Sequence, residues 1–556
     1  MRSFPITLIQ RRRAALLGAV LAMAGAAWLP ATASASHSQI AIIQDGGDLT
    51  NAAATLQQFR ALGATAIRVV VPWATIAPNP YSTKKPNFNA TDPNAYSASA
   101  WGPYDAIVRQ AHVDGLTVDL TVTGGAPRWA EGGAPPQPLD TPAVFVAWEP
   151  SAAAYGQFFR AVAERYDGSF TPKGQSTPLP AVHFWAIFNE PNFGLDLGPQ
   201  ATHNSEVATG PMMFRSLLNA GWSALHAFPS HSHDTILWGE FAARGQGAPA
   251  TLGVPQTHPG NYAQTKPLIF IRELFCVNSF YQPLTGSAAA AIGCPTSSAA
   301  ARRFRSQNPA LFTASGVSDH PYPGNQNPLV DGTTDPNFAA FADLGNLEAV
   351  LDRVNRVYGS GKRYSIYNDE YGYITDPPSG GQVAITGGHY VSPATAAYYI
   401  NWAEYLSWRQ PRIASTMQYL LEDPPPTAGP YSGFASGLEF SNGKPKADYA
   451  AYRLPLYMPV TSFSHTSSVE VWGDARPAPF MATDGDGPQS VAVQLNGKTI
   501  QTVTVTGSRG YFDVHMKFPR SGTVRLAWTY PKSDPLLPIG DLGQTVYSRS
   551  FSIQVH

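Results

Sequence analysis

Short hydrophobic runs rich in β-branched residues alternate along the chain with longer segments whose apolar residues recur every three or four positions. The short runs predict strands and the longer segments predict amphipathic helices, because the two structures have periods of about 2 and 3.6 residues. The predicted strands are residues 40–44, 66–71, 117–123, 183–188, 235–238, 316–318, 364–367 and 413–419.

A helix after each of eight strands favours a closed parallel barrel, since parallel strands need a crossover connection. The alternative is an open, doubly wound sheet, but the glycine-rich phosphate loop that often marks that fold is not found after the first strand. We therefore predict an α/β protein whose residues 36–459 form a (β/α)8 TIM barrel.

The pattern changes after Pro459, where strand-like runs follow one another closely. Asn496 and Gly497 separate two such runs, and this dipeptide favours a tight hairpin because both residues accept a positive φ. The paired runs of two predicted hairpins are 491–495 with 500–505 and 511–518 with 523–530. Residues 460–556 are predicted to form an all-β, immunoglobulin-like sandwich without helices.

The first 35 residues have the order of a secretory signal peptide. Three arginines, Arg11 to Arg13, precede an apolar run and then a stretch of small residues that ends at Ala35. The alternative is a membrane anchor, but the apolar run is shorter than the ~20 residues that span a bilayer. We expect a secreted protein with no membrane contact after the signal is removed.

Composition limits the partners. Charged residues make up 13% of the chain and the net charge is -1, so no extended field would attract nucleic acid. The aromatic content of 12% suits neutral polar ligands such as sugars. The sequence makes no prediction about oligomeric state.

Cys276 and Cys294 are the two cysteines of the chain. In an exported protein they predict one disulfide bond, with two buried free thiols as the alternative. Two thiols are too few for a metal centre, and no His/Cys cluster accompanies them. No metal ion or organic cofactor is predicted.

Two glutamates lie where a barrel places its chemistry, at the carboxyl ends of strands. Glu190 ends the fourth predicted strand behind Asn189, and Glu370 ends the seventh. Two opposed carboxylates, one protonated and one ionised, are what cleavage of a glycosidic bond requires. Burial and mutual repulsion would separate their pKa values.

The motif Asn189-Glu190-Pro191, with Glu370 on a later strand, resembles the retaining glycoside hydrolases of clan A, nearest to family 39 and to family 5 cellulase-like enzymes of actinobacteria. The resemblance covers the barrel and implies that Glu190 is the acid/base and Glu370 the nucleophile. It also implies that Asn189 contacts the sugar. Further implied contacts with the nucleophile or the sugar come from Arg68, His320 and Tyr322.

The chain departs from that pattern at two strands. Asp369 precedes Glu370 and is a rival carboxylate, but successive residues point to opposite faces of a strand, which favours Glu370. Strand eight lacks the usual tryptophan, so the sugar platform is expected to come from Tyr419 or from a loop. Trp73 is a further candidate for stacking on a sugar.

The sequence therefore predicts a secreted retaining glycoside hydrolase that cleaves a β-D-glycosidic or α-L-arabinofuranosidic bond. Its expected partner is a carbohydrate. The alternatives are a catalytically silent, carbohydrate-binding barrel and a barrel enzyme of other chemistry such as an esterase, for which no Gly-x-Ser-x-Gly motif is present.

Overall fold

The chain was analysed as a computed structural model. It describes residues 38–44, 51–133, 147–201, 207–245, 250–251, 254–255, 264–330, 334–375, 391–425, 434–535 and 537–556. The predicted signal peptide lies outside these ranges.

Eight parallel strands form the central sheet of the protein. They are β1 Ile40–Gln44, β2 Ala66–Pro72, β3 Thr117–Thr123, β4 Phe184–Ile187, β5 Thr235–Ala242, β6 Gly316–His320, β7 Ser365–Asn368 and β8 Ser415–Tyr419. Their order is β7-β6-β5-β4-β3-β2-β1-β8. The Ile366 N–H donates to the Arg412 carbonyl and the Ala414 N–H donates to the Ile366 carbonyl, which joins the two ends. The predicted barrel is confirmed.

Helices cover the outside of the barrel. They are α1 Ala52–Ala61, α2 Trp73–Ile76, α3 Ala98–Val113, α4 Ala152–Arg165, α5 Gly210–Leu225, α6 Pro267–Leu274, α7 Gly286–Ala291, α8 Ser298–Gln307, α9 Ala310–Thr313, α10 Leu344–Val357, α11 Pro393–Trp408 and α12 Ala447–Arg453. Helix α4 illustrates the pattern: the Ser151 hydroxyl caps its first turn, and Tyr155, Phe158 and Val162 are fully buried beneath it. Each such side chain contributes roughly 1.5–3 kcal/mol by leaving water.

Shorter elements lie in the connections. Single-turn 3-10 helices are Pro93–Ala95, Arg128–Ala130, Pro229–His231, Phe341–Asp343 and Ile539–Asp541. Two-residue strand pairs are Ala147–Trp148 with Leu197–Gly198 and Ala250–Thr251 with Val254–Pro255.

Strand β5 continues four residues beyond its predicted end at Trp238. Between the pairs Val317–Trp238 and Asp319–Phe241, β5 has two residues where β6 has one, so a β-bulge forms at Gly239 and Glu240. A Cβ atom on Gly239 would lie 2.4 Å from the Ser318 carbonyl oxygen, so only glycine allows this approach. The strand therefore bends at Gly239 and continues to Ala242.

The C-terminal segment is a β-sandwich. Its strands are β9 Leu456–Tyr457, β10 Ser462–Phe463, β11 Val469–Asp474, β12 Ser490–Leu495, β13 Lys498–Thr504, β14 Tyr511–Met516, β15 Gly522–Thr529, β16 Thr545–Tyr547 and β17 Phe551–Val555. One sheet has the order β9-β11-β14 and the other β10-β17-β15-β12-β13, with β16 paired to β15. Strands β10 and β17 are parallel, and the other pairs are antiparallel. Buried residues of both sheets, including Val471, Val493 and Leu526, form one core.

The expectation of a helix-free sandwich was wrong. Helix α13, Ala478–Met481, continues into a π-helical turn, Ala482–Asp486, between β11 and β12. This segment packs on the barrel: the Arg60 guanidinium lies over the Phe480 ring and pairs with Asp484. Phe480 and Asp484 of this segment thus interact with a barrel residue rather than with the sandwich core. The boundary at residue 459 stays a prediction.

Buried polar groups also link the two parts. The Arg476 guanidinium, before α13, donates to Glu404 of α11 at 2.6 Å and lies 4.2 Å above the Tyr452 ring. Tyr452 belongs to α12, so one sandwich cation joins two barrel helices. Replacing Arg476 alone would leave the buried Glu404 carboxylate without its cationic partner, which is costly.

Cys276 and Cys294 form the predicted disulfide bond. The Arg215 guanidinium of α5 donates to the carbonyls of Leu274 and Ile292, and so braces both ends of the bridged segment. Among the described helices, none combines the length and the hydropathy needed to cross a bilayer.

Gly63, directly after α1, tests the contact between barrel and sandwich. Its φ is +82°, and a Cβ atom there would lie 2.5 Å from the backbone of Arg476 and Pro477. Gly115 has a similar φ of +69°, but a Cβ atom there would meet only Arg60 Nη1, at an ordinary contact distance of 3.7 Å. We expect Gly63→Ala to lower the free energy of unfolding by about 2–5 kcal/mol and Gly115→Ala by about 1–2 kcal/mol. Chemical unfolding measures both, and equal losses would contradict the tight contact.

Candidate active site

Strands β4 and β7 deliver the two predicted glutamates to the same end of the barrel. Glu190 follows β4 through an unusual backbone, with φ of +74° at Phe188 and +37° at Glu190. The Glu190 N–H donates to the carbonyl of Glu240 on β5, at 3.1 Å, which holds this bend. Glu370 is the second residue after β7, behind Asp369.

The carboxylates of Glu190 and Glu370 face each other across His320. The His320 Nδ1 atom lies 2.9 Å from Glu190 Oε1 and 3.5 Å from Glu370 Oε2. One oxygen of each glutamate and this nitrogen all lie within 4.8 Å of one another. Their side chains are 17% and 14% exposed, so both reach the opening while the imidazole is fully buried. The structure brings these three predicted residues together.

Arg68, on β2, connects most of the site. Its Nη1 atom donates to Glu370 Oε1 at 2.6 Å and to Gln44 at 2.7 Å. Its Nη2 atom donates to Asn189 Oδ1 at 2.8 Å and to Glu240 Oε2 at 2.6 Å. Its side chain is fully buried, so the guanidinium charge is compensated by side chains alone.

Three aromatic side chains form one wall beside Glu370. The Tyr322 hydroxyl donates to Glu370 Oε2 at 2.9 Å. The Tyr322 ring makes edge contacts with Tyr419, the last residue of β8, and with Phe434, at centroid distances of 6.2 and 4.9 Å. Tyr419 therefore packs against the tyrosine that donates to Glu370, and Phe434 is a neighbour that the sequence did not indicate.

Asn189 has a fixed amide orientation. Since its Oδ1 accepts from Arg68, its Nδ2 faces outward and donates to Asp196 at 3.3 Å. Asp196 is half-buried, and burial followed by the charge of Glu190 raises its pKa well above the ordinary value. Asp196 lies in the connection after Glu190, a region without strand or helix periodicity. It was therefore not predicted as a site residue.

The pKa values of the two glutamates move in opposite directions. Burial, and then the charge of Glu370, raise the pKa of Glu190 well above its usual value. Burial alone would also raise the pKa of Glu370, but His320, Arg68 and the Tyr322 hydroxyl outweigh it and lower that pKa. Burial lowers the pKa of His320 to about 4, so the permanent charge near Glu370 at neutral pH is that of Arg68.

Further carboxyl groups lie beneath the opening. Asp369 is completely buried, 3.6 Å from His320 Nε2, so the two candidates on strand seven are separated as the alternation of a strand requires. Glu240 is also fully buried, between Arg68 and the Thr121 hydroxyl, which donates to it at 2.7 Å. Glu240 was not predicted as a site residue, because the predicted strand five ended at Trp238. A carboxylate two residues beyond that point was the available signal.

Trp73 does not line the opening, contrary to its assignment as a sugar-binding residue. Its side chain is 1% exposed and packs against Trp129, Tyr155 and Phe158, with the Phe158 ring stacked at 5.9 Å. Trp73 begins helix α2 directly after β2, where the chain turns outward from the barrel axis. We therefore leave Trp73 out of the candidate site.

Two groups of side chains have the proximity of metal ligands: Glu190, His320 and Glu370, and Glu240, His320 and Asp369. Arg68 already lies 2.6 Å from a carboxylate of each group. Because Arg68 already supplies a positive charge to both groups, their carboxylates do not require a metal ion to compensate their charge.

No protein-family model matches the sequence, and no curated protein matches it either. Solved structures that resemble the chain include a β-glucuronidase from Bacteroides uniformis, with 12% identity over 93% of this chain and 46% of that chain and a TM-score of 0.39. A glucosidase from Croceicoccus marinus has 12% identity over 87% and 94%, with a TM-score of 0.46. A β-glucosidase from Thermotoga maritima has 13% identity over 72% and 84%, with a TM-score of 0.43.

The chain thus spans about half the length of the β-glucuronidase that it resembles.

Asp119, on β3 and paired in register with Arg68 of β2, allows a test of how the buried charges affect stability. Burial, followed by the charge of Glu240, raises its pKa to about 8. Its folded pKa therefore exceeds its unfolded value, and its contribution to stability is full below about pH 4 and lost as the pH rises through 8. Relative to the wild type, Asp119→Asn should gain a few kcal/mol of stability between pH 5 and pH 9. Unfolding midpoints of both proteins measure this, and a difference independent of pH would contradict it.

Proposed function

We propose that the protein is a secreted glycoside hydrolase that retains anomeric configuration, with Glu370 as nucleophile and Glu190 as acid/base. The observation that carries the proposal is the pair of facing carboxylates whose pKa values are shifted in opposite directions. One group is then ready to attack and the other to donate a proton at the same pH.

In the first step, a Glu370 oxygen attacks the anomeric carbon as the bond to the leaving oxygen breaks. Glu190 gives its proton to that oxygen. In the second step, Glu190 takes a proton from water, the water oxygen attacks the same carbon, and the bond to Glu370 breaks. Arg68 and Tyr322 hold Glu370 ionised and oriented through contacts of 2.6 and 2.9 Å.

The separation of the carboxyl groups supports retention. Retaining enzymes hold them about 5–5.5 Å apart, whereas inverting enzymes need about 6.5–9.5 Å to fit a water molecule between them. Here the closest oxygens of Glu190 and Glu370 lie within 4.8 Å. This short distance favours the retaining arrangement over the inverting one.

The substrate class follows from the resemblance to clan A and from the wall beside Glu370. The expected bond is a β-D-glycoside or the stereochemically equivalent α-L-arabinofuranoside. Tyr419 and Phe434, with Tyr322, provide apolar faces and edges against which a neutral sugar ring can pack. A screen of aryl β-D-glycosides and aryl α-L-arabinofuranosides identifies the sugar.

Glu370→Gln tests the nucleophile against its rival. It should lower kcat by roughly three orders of magnitude or more while substrate affinity persists, because the amide cannot attack. Asp369→Asn is the matched control: the side chain is fully buried, and turnover should stay within about tenfold of the wild type. Loss of activity in Asp369→Asn alone would contradict the assignment. Wild-type binding without turnover, unaffected by Glu370→Gln, would instead indicate a carbohydrate-binding protein.

Glu190→Gln tests the proton donor by changing the leaving group. With a poor leaving group such as methanol, the first step should slow by about 10²–10⁴-fold. With 2,4-dinitrophenolate, which departs without protonation, formation of the glycosyl-enzyme should stay near the wild-type rate. Pre-steady-state release of the phenol measures it, and equal losses with both leaving groups would contradict the role.

A further inference from the structure

Glu240 occupies a position that depends on a local irregularity of the barrel. The bulge at Gly239 and Glu240 turns the Glu240 side chain inward, and the Glu240 backbone has a φ of +48°. The Glu240 N–H donates to the Ser318 hydroxyl at 2.9 Å, which stabilises this conformation. A positive φ is uncommon for a residue with a side chain, and such conformations concentrate at functional sites.

The Glu240 carboxylate shares Arg68 with Glu370. Arg68 Nη2 binds Glu240 Oε2, and Arg68 Nη1 binds Glu370 Oε1, both at 2.6 Å. The remaining Glu240 oxygen accepts from Thr121, whose own oxygen accepts from Arg68 Nε at 3.2 Å. These bonds fix the plane of the guanidinium, so a single nitrogen is directed at Glu370.

Glu240 also reaches Glu190. Its carbonyl accepts the Glu190 N–H, and its carboxylate lies 4.0 Å from His320 Nε2, on the opposite side of the imidazole from Glu190. The charge of Glu240 is one of the groups that raise the pKa of Glu190, after burial and Glu370. One side chain is therefore coupled to both glutamates without facing the opening.

We propose that Glu240 is a positioning residue for the reaction: it anchors Arg68 so that only part of its charge reaches Glu370, and it holds Glu190 through its carbonyl and its negative charge. Glu240 touches no substrate. This inference rests on the proposed hydrolysis, since its effect is on the two glutamates that perform it.

The test is Glu240→Gln, which keeps the shape and a hydrogen-bonding oxygen but removes the charge. Without that charge the pKa of Glu190 falls, so the basic limb of the pH profile of kcat/KM should move to lower pH. The shift should be on the order of one pH unit, as for a charge a few ångströms away at an effective dielectric constant of about 20. The acidic limb should also move to lower pH, because Glu370 is then the only carboxylate that pairs with Arg68.

Thr121→Val is the matched control. It removes the hydroxyl between Arg68 and Glu240 but leaves every charge in place, so kcat should fall while the basic limb stays at the wild-type pH. Glu240→Asp keeps the charge in a shorter side chain and should behave in the same way. Glu240→Asp keeps the proposal testable even if Glu240→Gln does not fold. A displacement of the basic limb in Glu240→Asp would overturn the proposal.

A readout without turnover separates the two proposals. In protein labelled with carbon-13 at the glutamate carboxyl carbons, the Glu190 resonance is identified by its loss in Glu190→Gln, and its titration should move to lower pH in Glu240→Gln. An unchanged Glu190 titration in Glu240→Gln would overturn the role of Glu240. Absence of wild-type turnover with the shifted titration present would instead count against the proposed hydrolysis.

Discussion

A single buried guanidinium holds the candidate site together. Arg68 comes from β2, and its partners come from β1, the end of β4, β5 and the end of β7. An arginine side chain cannot lose its proton, so this charge must be compensated wherever the fold buries it. Closure of the barrel is what brings the partners within reach, and the geometry of the site therefore depends on the complete eight-stranded sheet.

The same charge explains why the glutamates differ. Arg68 donates a hydrogen bond to Glu370 but not to Glu190. Burial, and then the charge of Glu370, keep the pKa of Glu190 high. Asp119 and Asp369, deeper in the barrel, also have raised pKa values, which burial dominates. Because their pKa values are raised, these two groups add less negative charge around Arg68 than two ordinary aspartates would.

Much of this arrangement could be predicted from sequence because it follows from periodicity. Eight strands and the rule that chemistry lies at their carboxyl ends were enough to select Glu190 and Glu370, and alternation separated Glu370 from Asp369. Glu240 was missed because the predicted strand ended at Trp238, whereas the bulge that carries the strand further depends on contacts with β6. The burial of Trp73 was not predicted, because packing against aromatic rings of α4 and of the connection after β3 is a tertiary property that local sequence does not contain.

The central claim is that hydrolysis proceeds in two displacements, with the sugar bound covalently to Glu370 between them. The configuration of the first product reports on it most directly, and proton NMR during hydrolysis of an aryl glycoside that the enzyme accepts records that configuration before mutarotation. The account predicts that the newly released sugar has the anomeric configuration of the substrate. Initial release of the opposite anomer would contradict it, because water would then have displaced the leaving group in a single step, without a bond between the sugar and Glu370.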